Sequence, residues 1–139
     1  MAESGRLIGL DVGDRRIGVA VSIPPGSLVL PAGHIDRRNL RSDIASILEA
    51  VSQRQAVAIV VGMPYDAQGR PGQQARKIQS VVRALERSAA VPVFVQDEAF
   101  TSSSAEAELR ASGRRPSREP GAVDAGAAAA ILRRFINPD

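Results

Sequence analysis

The sequence contains no cysteine and a single histidine, His34. Without cysteine, both a disulfide framework and a thiolate metal site are excluded. One imidazole is too few for a histidine metal centre, so any bound metal must be held mainly by oxygen ligands. No serine signature accompanies His34, which follows Pro31-Ala32-Gly33, and it is therefore predicted to lie at a strand end or in a loop rather than in a Ser-His-Asp site.

Aromatic residues and lysine are also scarce. Aromatics make up 3% of the chain, so base stacking is not expected to be the main mode of nucleic-acid recognition. Recognition of backbone and shape is the better interpretation. Lys77 is the one lysine, and the remaining positive charge is arginine, which suits bidentate contact with phosphate. The formal net charge of +3 permits nucleic-acid binding without demonstrating it.

Long apolar runs are missing as well. No segment approaches the ~20 apolar residues that a membrane-spanning helix requires. Residues 1–6 are too short and too polar for a signal peptide. We therefore expect a soluble, cytoplasmic protein without membrane contact. A length of 139 residues, without an internal repeat or linker, predicts one domain over residues 1–139.

The spacing of apolar residues predicts three strands followed by alternating helices and strands. The predicted elements are strands at 6–12, 17–22 and 28–34, a helix at 39–53, a strand at 56–62, a helix at 72–88, a strand at 91–97, and helices at about 103–110 and 122–136. The short turn after the first strand favours an antiparallel hairpin. The apolar runs at 56–62 and 91–97 are typical of buried strands in a parallel sheet. The predicted fold class is α/β, with a mixed five-stranded sheet that starts with the hairpin, continues with βα units and is flanked by helices.

Carboxylates interrupt this apolar pattern in three places. Asp11 lies inside the first strand, where a buried charge is expensive unless something pairs with it or uses it. Asp97 and Glu98 follow Val93-Phe94-Val95, and Asp124 lies on the apolar face of the last predicted helix. Structural roles are open to each acid: hydrogen bonds to turn amides, exposure at a strand end, or interaction with the helix dipole.

The predicted strand order would bring these acids together, because the first strand lies beside the 56–62 strand with the 91–97 strand beyond it. Like charges in one place repel unless a cation joins them or one is protonated. Mg²⁺ or Mn²⁺ is the natural cation for oxygen ligands. Such a site is typical of enzymes that hydrolyse phosphodiesters, since bound metal activates water and stabilises the leaving oxygen. Strand alternation puts Asp97 and Glu98 on opposite sides, so one of them is expected to face the site.

Arginines near these acids are candidate phosphate contacts. Arg15 and Arg16 lie in the hairpin turn. Arg114, Arg115 and Arg118 lie in a polar segment just before the last predicted helix, where they could clamp a substrate backbone. A plain polar turn and a solvated basic loop are the alternative interpretations.

Several short motifs follow one another along nearly the whole chain. They are Gly9-Leu10-Asp11-Val12-Gly13, Arg16-Ile17-Gly18-Val19-Ala20-Val21-Ser22, Val61-Gly62-Met63-Pro64, Gly69 and Gly72 before a helix, Asp97-Glu98-Ala99-Phe100-Thr101-Ser102, and Val123-Asp124-Ala125. In this order and at this spacing, the chain resembles the YqgF/RuvX family of Holliday-junction-resolvase-like proteins. The resemblance implies an RNase H-like fold.

The resemblance also implies a metal-dependent nuclease. The family's acids correspond to Asp11, Glu98 and Asp124, and its phosphate-facing arginine to Arg16. It implies 5′-end processing of pre-16S ribosomal RNA or, for some members, resolution of branched DNA, which needs two active sites and so a possible homodimer. The family usually has an arginine directly after its Asp-Glu pair. Ala99 occupies that position here. Its side chain cannot supply the substrate contact or the charge balance that such an arginine would provide.

Two other function classes stay open at this point. An Asp-x-Gly turn after the first strand is also found at the start of the actin and sugar-kinase type of fold. This similarity suggests a phosphate-binding ATPase half-domain. The chain is short for two lobes around a nucleotide, and it shows no second Gly-rich phosphate loop. The other class is a non-catalytic nucleic-acid-binding regulator on a nuclease fold. The residues do not decide between an RNA and a DNA substrate.

Overall fold

A computed structural model of the chain describes residues 5–24, 28–65, 68–98 and 122–138. These residues form five strands and three helices: β1 (Arg6–Val12), β2 (Arg16–Ile23), β3 (Leu28–Asp36), α1 (Leu40–Arg54), β4 (Ala56–Met63), α2 (Gln73–Ser88), β5 (Val93–Asp97) and α3 (Ala122–Ile136). Every element predicted within the described ranges is present, and its ends differ from the prediction by at most two residues. The helix predicted at about 103–110 lies outside the described residues.

The five strands form one mixed sheet in the order β3-β2-β1-β4-β5. β2 pairs antiparallel with β1 and β3, whereas β4 pairs parallel with β1 and β5. This arrangement confirms the predicted hairpin start and the predicted position of β1 beside β4. Because β1, β4 and β5 run parallel, their carboxyl ends lie at one edge of the sheet. The residues that end these strands are therefore neighbours.

The sheet is covered on both faces. Alternation along β1 sends Ile8 and Leu10 towards the larger core, which α1 and α2 cover. Gly9 faces α3, and a Cβ atom there would lie 3.0 Å from the Cβ atom of Leu132. The absence of a side chain at Gly9 and the small alanine side chains of α3 thus let the helix approach the sheet closely. None of the helices in the described ranges is long and apolar enough to cross a membrane.

The prediction that β5 is a buried strand is wrong. Phe94 and Val95 are 43% and 42% exposed. Among the described strands, β5 lies at the edge of the sheet and pairs with β4 alone, so fewer described side chains flank it than flank a central strand. The ring of Phe94 packs against the ring of Phe135 in α3, with ring centroids 5.4 Å apart.

One charged residue of α1 is buried as well. Asp43 is 2% exposed and accepts a hydrogen bond of 3.0 Å from Nε of Arg37. The main-chain N–H of Arg38 donates to the other oxygen of Asp43. Arg37 also donates from Nη1 to the carbonyl oxygen of Gly13. This ion pair therefore ties the start of α1 to the turn between β1 and β2.

Candidate active site

Asp11 lies near the end of β1, on the sheet face that α3 covers. Across the antiparallel pair it lies opposite Gly18 of β2. Its side chain is partly buried. Burial, with a smaller contribution from the negative charge of Asp124, raises the pKa of Asp11 from 3.8 to about 6. The carboxyl group is thus harder to ionise than an ordinary aspartate and gains most from a nearby cation.

Asp124 reaches Asp11 because the first turn of α3 rests on Gly18. A Cβ atom at Gly18 would overlap the carbonyl group of Asp124. The absence of a side chain on β2 therefore lets the helix begin directly above the sheet. Since Gly18 and Asp11 are paired, this contact puts the acid of the last helix beside the acid of the first strand.

Arg16, predicted as a phosphate contact, is bonded to one of these acids. Its Nε donates a hydrogen bond of 2.9 Å to Oδ2 of Asp124. The side chains of Arg16 and Asp124 are 36% and 25% exposed, so the ion pair lies at the rim of the site rather than in the core. Arg15, the other predicted contact in the turn, is exposed.

Glu98 approaches the same region from the end of β5. Its main-chain N–H donates to the carbonyl oxygen of Met63 at 2.9 Å, which continues the β4–β5 ladder by one residue. Glu98 is buried, whereas Asp97 is exposed. Gly62 of β4 leaves room for Glu98, because a Cβ atom at Gly62 would lie 3.3 Å from Cγ of Glu98. Of the two adjacent acids, Glu98 is therefore the one that faces the site.

Asp11 and Glu98 line one cavity of about 230 Å³ at the carboxyl edge of the parallel strands. Gln74 of α2 lines it as well and donates from Nε2 to the carbonyl oxygen of Val12 at 3.4 Å. Apolar lining residues include Ile78, Ala127, Ala130 and Ile131. Sequence reasoning missed Gln74. Its position in the first turn of the helix after β4 is a signal that could have found it, because such turns lie at the carboxyl edge of a parallel sheet.

The donor chemistry of this site fits a hard divalent cation. Asp11, Glu98 and Asp124 offer carboxylate oxygens, the ligands that Mg²⁺ and Mn²⁺ prefer. Within the described ranges, however, no three side chains of His, Cys, Asp or Glu lie close enough together to hold a metal ion. Asp11 shares a cavity with Glu98 and interacts electrostatically with Asp124, which Arg16 binds. One ligand set of three acids thus stays a prediction.

The other predicted site residues fall in a part of the chain that is not described. Arg114, Arg115 and Arg118 lie outside the described residues, and so does Ala99. Their roles as phosphate contacts, or the effect of the alanine, stay predictions from the sequence.

Comparison with known proteins identifies the family. The family model of RuvX, described as a Holliday junction resolvase, matches residues 5–138. The chain belongs to the RuvX family. A relative from Synechococcus sp. (strain JA-2-3B'a(2-13)), named "Putative pre-16S rRNA nuclease", is 42% identical over 130 residues, which cover 94% of this chain and 76% of the relative. A relative of the same name from Synechococcus elongatus is 41% identical and is covered over 87% of its length.

The fold has a counterpart among solved structures of resolvases. RuvC of Thermus thermophilus, in complex with a Holliday junction substrate, matches with a TM-score of 0.60 and 16% sequence identity. The match covers 96% of this chain and 94% of that chain. It confirms the predicted RNase H-like fold class. Membership of the RuvX family confirms that the chain is a nuclease, and hence a hydrolase.

Proposed function

We propose that this RuvX-family chain is a divalent-metal-dependent nuclease that hydrolyses phosphodiester bonds at the 5′ end of the 16S ribosomal RNA precursor. The observation that carries the proposal is the placement of Asp11 and Glu98 on one cavity, with Asp124 beside Asp11. The substrate is suggested by the name that the relatives at 41% and 42% identity share. Processing of such a precursor goes with a cytoplasmic location.

Asp11, Glu98 and Asp124 would hold Mg²⁺ or Mn²⁺ through their oxygens. When bound, the ion supplies Lewis-acid chemistry and an activated water for attack on the phosphodiester. Asp11 must lose its proton to serve as a ligand. With a pKa of about 6 it is mostly ionised above neutral pH, and a cation beside it favours the ionised form further. The apolar wall that Ala127 and Ile131 contribute strengthens these electrostatic interactions by excluding water.

Arginines would bind the phosphate backbone of the substrate. Arg15 is exposed on the turn that follows β1, and Arg16 is partly exposed beside Asp124. Arg16 uses Nε for the ion pair, and a guanidinium carries its other donors on Nη1 and Nη2. Arg114, Arg115 and Arg118 are proposed as further backbone contacts because of their place in the sequence before α3.

A second candidate function is the resolution of branched DNA. The description of the family model as a Holliday junction resolvase favours it, and the solved RuvC complex has the same fold. A resolvase cuts two strands at one junction and would require a homodimer with two active sites. Ribosomal RNA precursor is the better proposal, because its supporting relatives are far more similar to this chain than RuvC is.

A comparison of substrates tests the proposal. The purified protein is incubated with a 16S precursor carrying its 5′ extension and, separately, with four-way DNA junctions, each with Mg²⁺ or Mn²⁺. We expect metal-dependent cleavage of the RNA and none by Asp11→Asn, which controls for contaminating nuclease. Preferential cleavage of the four-way DNA junctions would instead support the second candidate function, the resolution of branched DNA. Binding of RNA without cleavage under either metal would overturn the proposal and indicate a non-catalytic regulator.

A further inference from the structure

The ion pair between Arg16 and Asp124 places a positive charge where a metal ligand is proposed. Nε of Arg16 lies 2.9 Å from Oδ2 of Asp124. Mg²⁺ binds carboxylate oxygens at about 2.1 Å. An ion on the same oxygen would therefore lie within about 5 Å of the guanidinium nitrogen, where two cations repel each other. Arg16 and a metal ion thus cannot share Oδ2 without a cost.

The two partners of this ion pair differ in their freedom to move. The main chain of Asp124 packs against Gly18 in the first turn of α3, and its short side chain is 25% exposed. Arg16 lies at the start of β2, and its long side chain is 36% exposed. When a cation arrives, the exchangeable partner is therefore the arginine side chain, which can turn towards solvent or towards a substrate phosphate.

We propose that Arg16 competes with the metal ion for Asp124 and exchanges this partner for a substrate phosphate. Before metal binds, Arg16 holds Oδ2 of Asp124 and offsets its negative charge beside Asp11. When the metal and the substrate bind, Arg16 leaves Asp124 and donates to a substrate phosphate. This explains why the described residues contain an acid pair on the cavity and an Arg-bound Asp124 rather than a cluster of three acids.

The exchange couples the two ligands. A substrate phosphate draws Arg16 away from Asp124 and so favours metal binding, and metal binding frees Arg16 for phosphate. By linkage, each ligand raises the affinity for the other by the same factor. The inference rests on the proposed function, since it assigns a role to Arg16 at the same metal site.

Direct measurement of Mn²⁺ binding tests this exchange without activity as the readout. Calorimetry compares the wild-type protein with Arg16→Gln, and Arg15→Gln serves as the matched control because it removes the same charge one residue away. We expect Arg16→Gln to bind Mn²⁺ about five- to tenfold more tightly and Arg15→Gln to change the affinity less than about twofold. In the Asp124→Asn background, Arg16→Gln should not raise the affinity for Mn²⁺, since residue 124 no longer carries the carboxylate for which Arg16 and the ion compete.

Cleavage should change in the opposite direction. Arg16→Gln is expected to cleave more slowly than the wild type at saturating Mn²⁺, because the phosphate contact is lost although the metal binds more tightly. Unchanged or weaker Mn²⁺ binding by Arg16→Gln would overturn the inference. The inference about Arg16 can fail while the proposed metal site stands. That is the case if the wild-type protein binds Mn²⁺, Asp11→Asn does not, and Arg16→Gln binds no more tightly than the wild type. Absence of Mn²⁺ binding in the wild-type protein and in Arg16→Gln would overturn both.

Discussion

The carbonyl group of Asp124 lies so close to Gly18 that a Cβ atom on β2 at this position would overlap it. The contact joins two residues that are far apart in sequence and sets the height of α3 above the sheet. Because Gly18 is paired with Asp11, the same contact determines the spacing between two of the proposed acidic ligands. A residue without a side chain is thus part of what builds the site.

Gly18→Ala tests this relationship. The added methyl group must push the first turn of α3 away from the sheet, which should lower the free energy of unfolding by about 1–3 kcal/mol and reduce cleavage. Gly126→Ala is the matched control on α3, because a Cβ atom there meets no other atom within 4 Å. That change should raise helix stability by about 0.5–1 kcal/mol. Urea unfolding measures both, and equal stabilities for the two variants would contradict the proposed contact.

The raised pKa of Asp11 predicts how the metal-free protein responds to pH. The folded state holds the proton of Asp11 up to about pH 6, whereas the unfolded chain releases it near 3.8. The stability that this group contributes is therefore fully present below pH 3.8 and is lost as pH rises through 6. Asp11→Asn cannot lose a proton, so its advantage over the wild type should grow by roughly 2–3 kcal/mol across this window.

Urea unfolding of both proteins in chelator between pH 4 and pH 7.5 measures this difference, and an NMR titration gives the pKa directly. Asp124→Asn should lower the pKa of Asp11 only in part, because burial is the larger cause of the shift and the charge of Asp124 the smaller. A pH-independent difference between Asp11→Asn and the wild type would show that Asp11 is solvated.

The buried ion pair of Arg37 and Asp43 predicts a large loss of stability when one partner is removed. Asp43→Ala would leave the Arg37 guanidinium, whose side chain is 21% exposed, without its carboxylate. Removing one partner of such a pair costs about 3–5 kcal/mol when burial is complete, so we expect about 2–4 kcal/mol in chemical denaturation. Asp14→Asn is the matched control, since its ion pair with Lys77 is exposed and should contribute less than about 1 kcal/mol.

A coupled change separates charge from packing at this position. Replacing both Arg37 and Asp43 with leucine removes the uncompensated charge and should recover part of the stability that Asp43→Ala loses. If the double variant were less stable than the single one, the hydrogen bonds to Arg38 and Gly13 would carry the main contribution.

The acids of the proposed site could be predicted from the sequence because they interrupt an apolar pattern. Asp11 does so within β1 and Asp124 on the inner face of α3. The order of a hairpin followed by βα units predicted that β1 lies beside β4. Strand alternation did not choose between Glu98 and Asp97, since it says that the two side chains diverge but not which of them faces inward. The choice of Glu98 came from the family resemblance.

Features that depend on long-range contacts were beyond the sequence. The exposure of Phe94 follows from the edge position of β5, which an apolar run does not encode. The burial of Asp43 depends on Arg37 folding back from the connection before α1. Arg16 could be identified as a candidate phosphate contact, but its bond to Asp124 joins residues 108 positions apart. Such pairings appear only when the strands and helices are assembled.

The central proposal is that the acids on the cavity carry metal-dependent cleavage, and the adjacent pair Glu98 and Asp97 tests it most directly. The measurement is the single-turnover rate of cleavage of the 5′-extended 16S precursor with saturating Mn²⁺. Loss of a group that only orients a metal ligand costs about 10- to 100-fold, so Glu98→Gln should lose at least about 100-fold. Asp97→Asn, which changes an exposed acid one residue away, should cleave at nearly the wild-type rate. Wild-type cleavage by Glu98→Gln would contradict the proposed site.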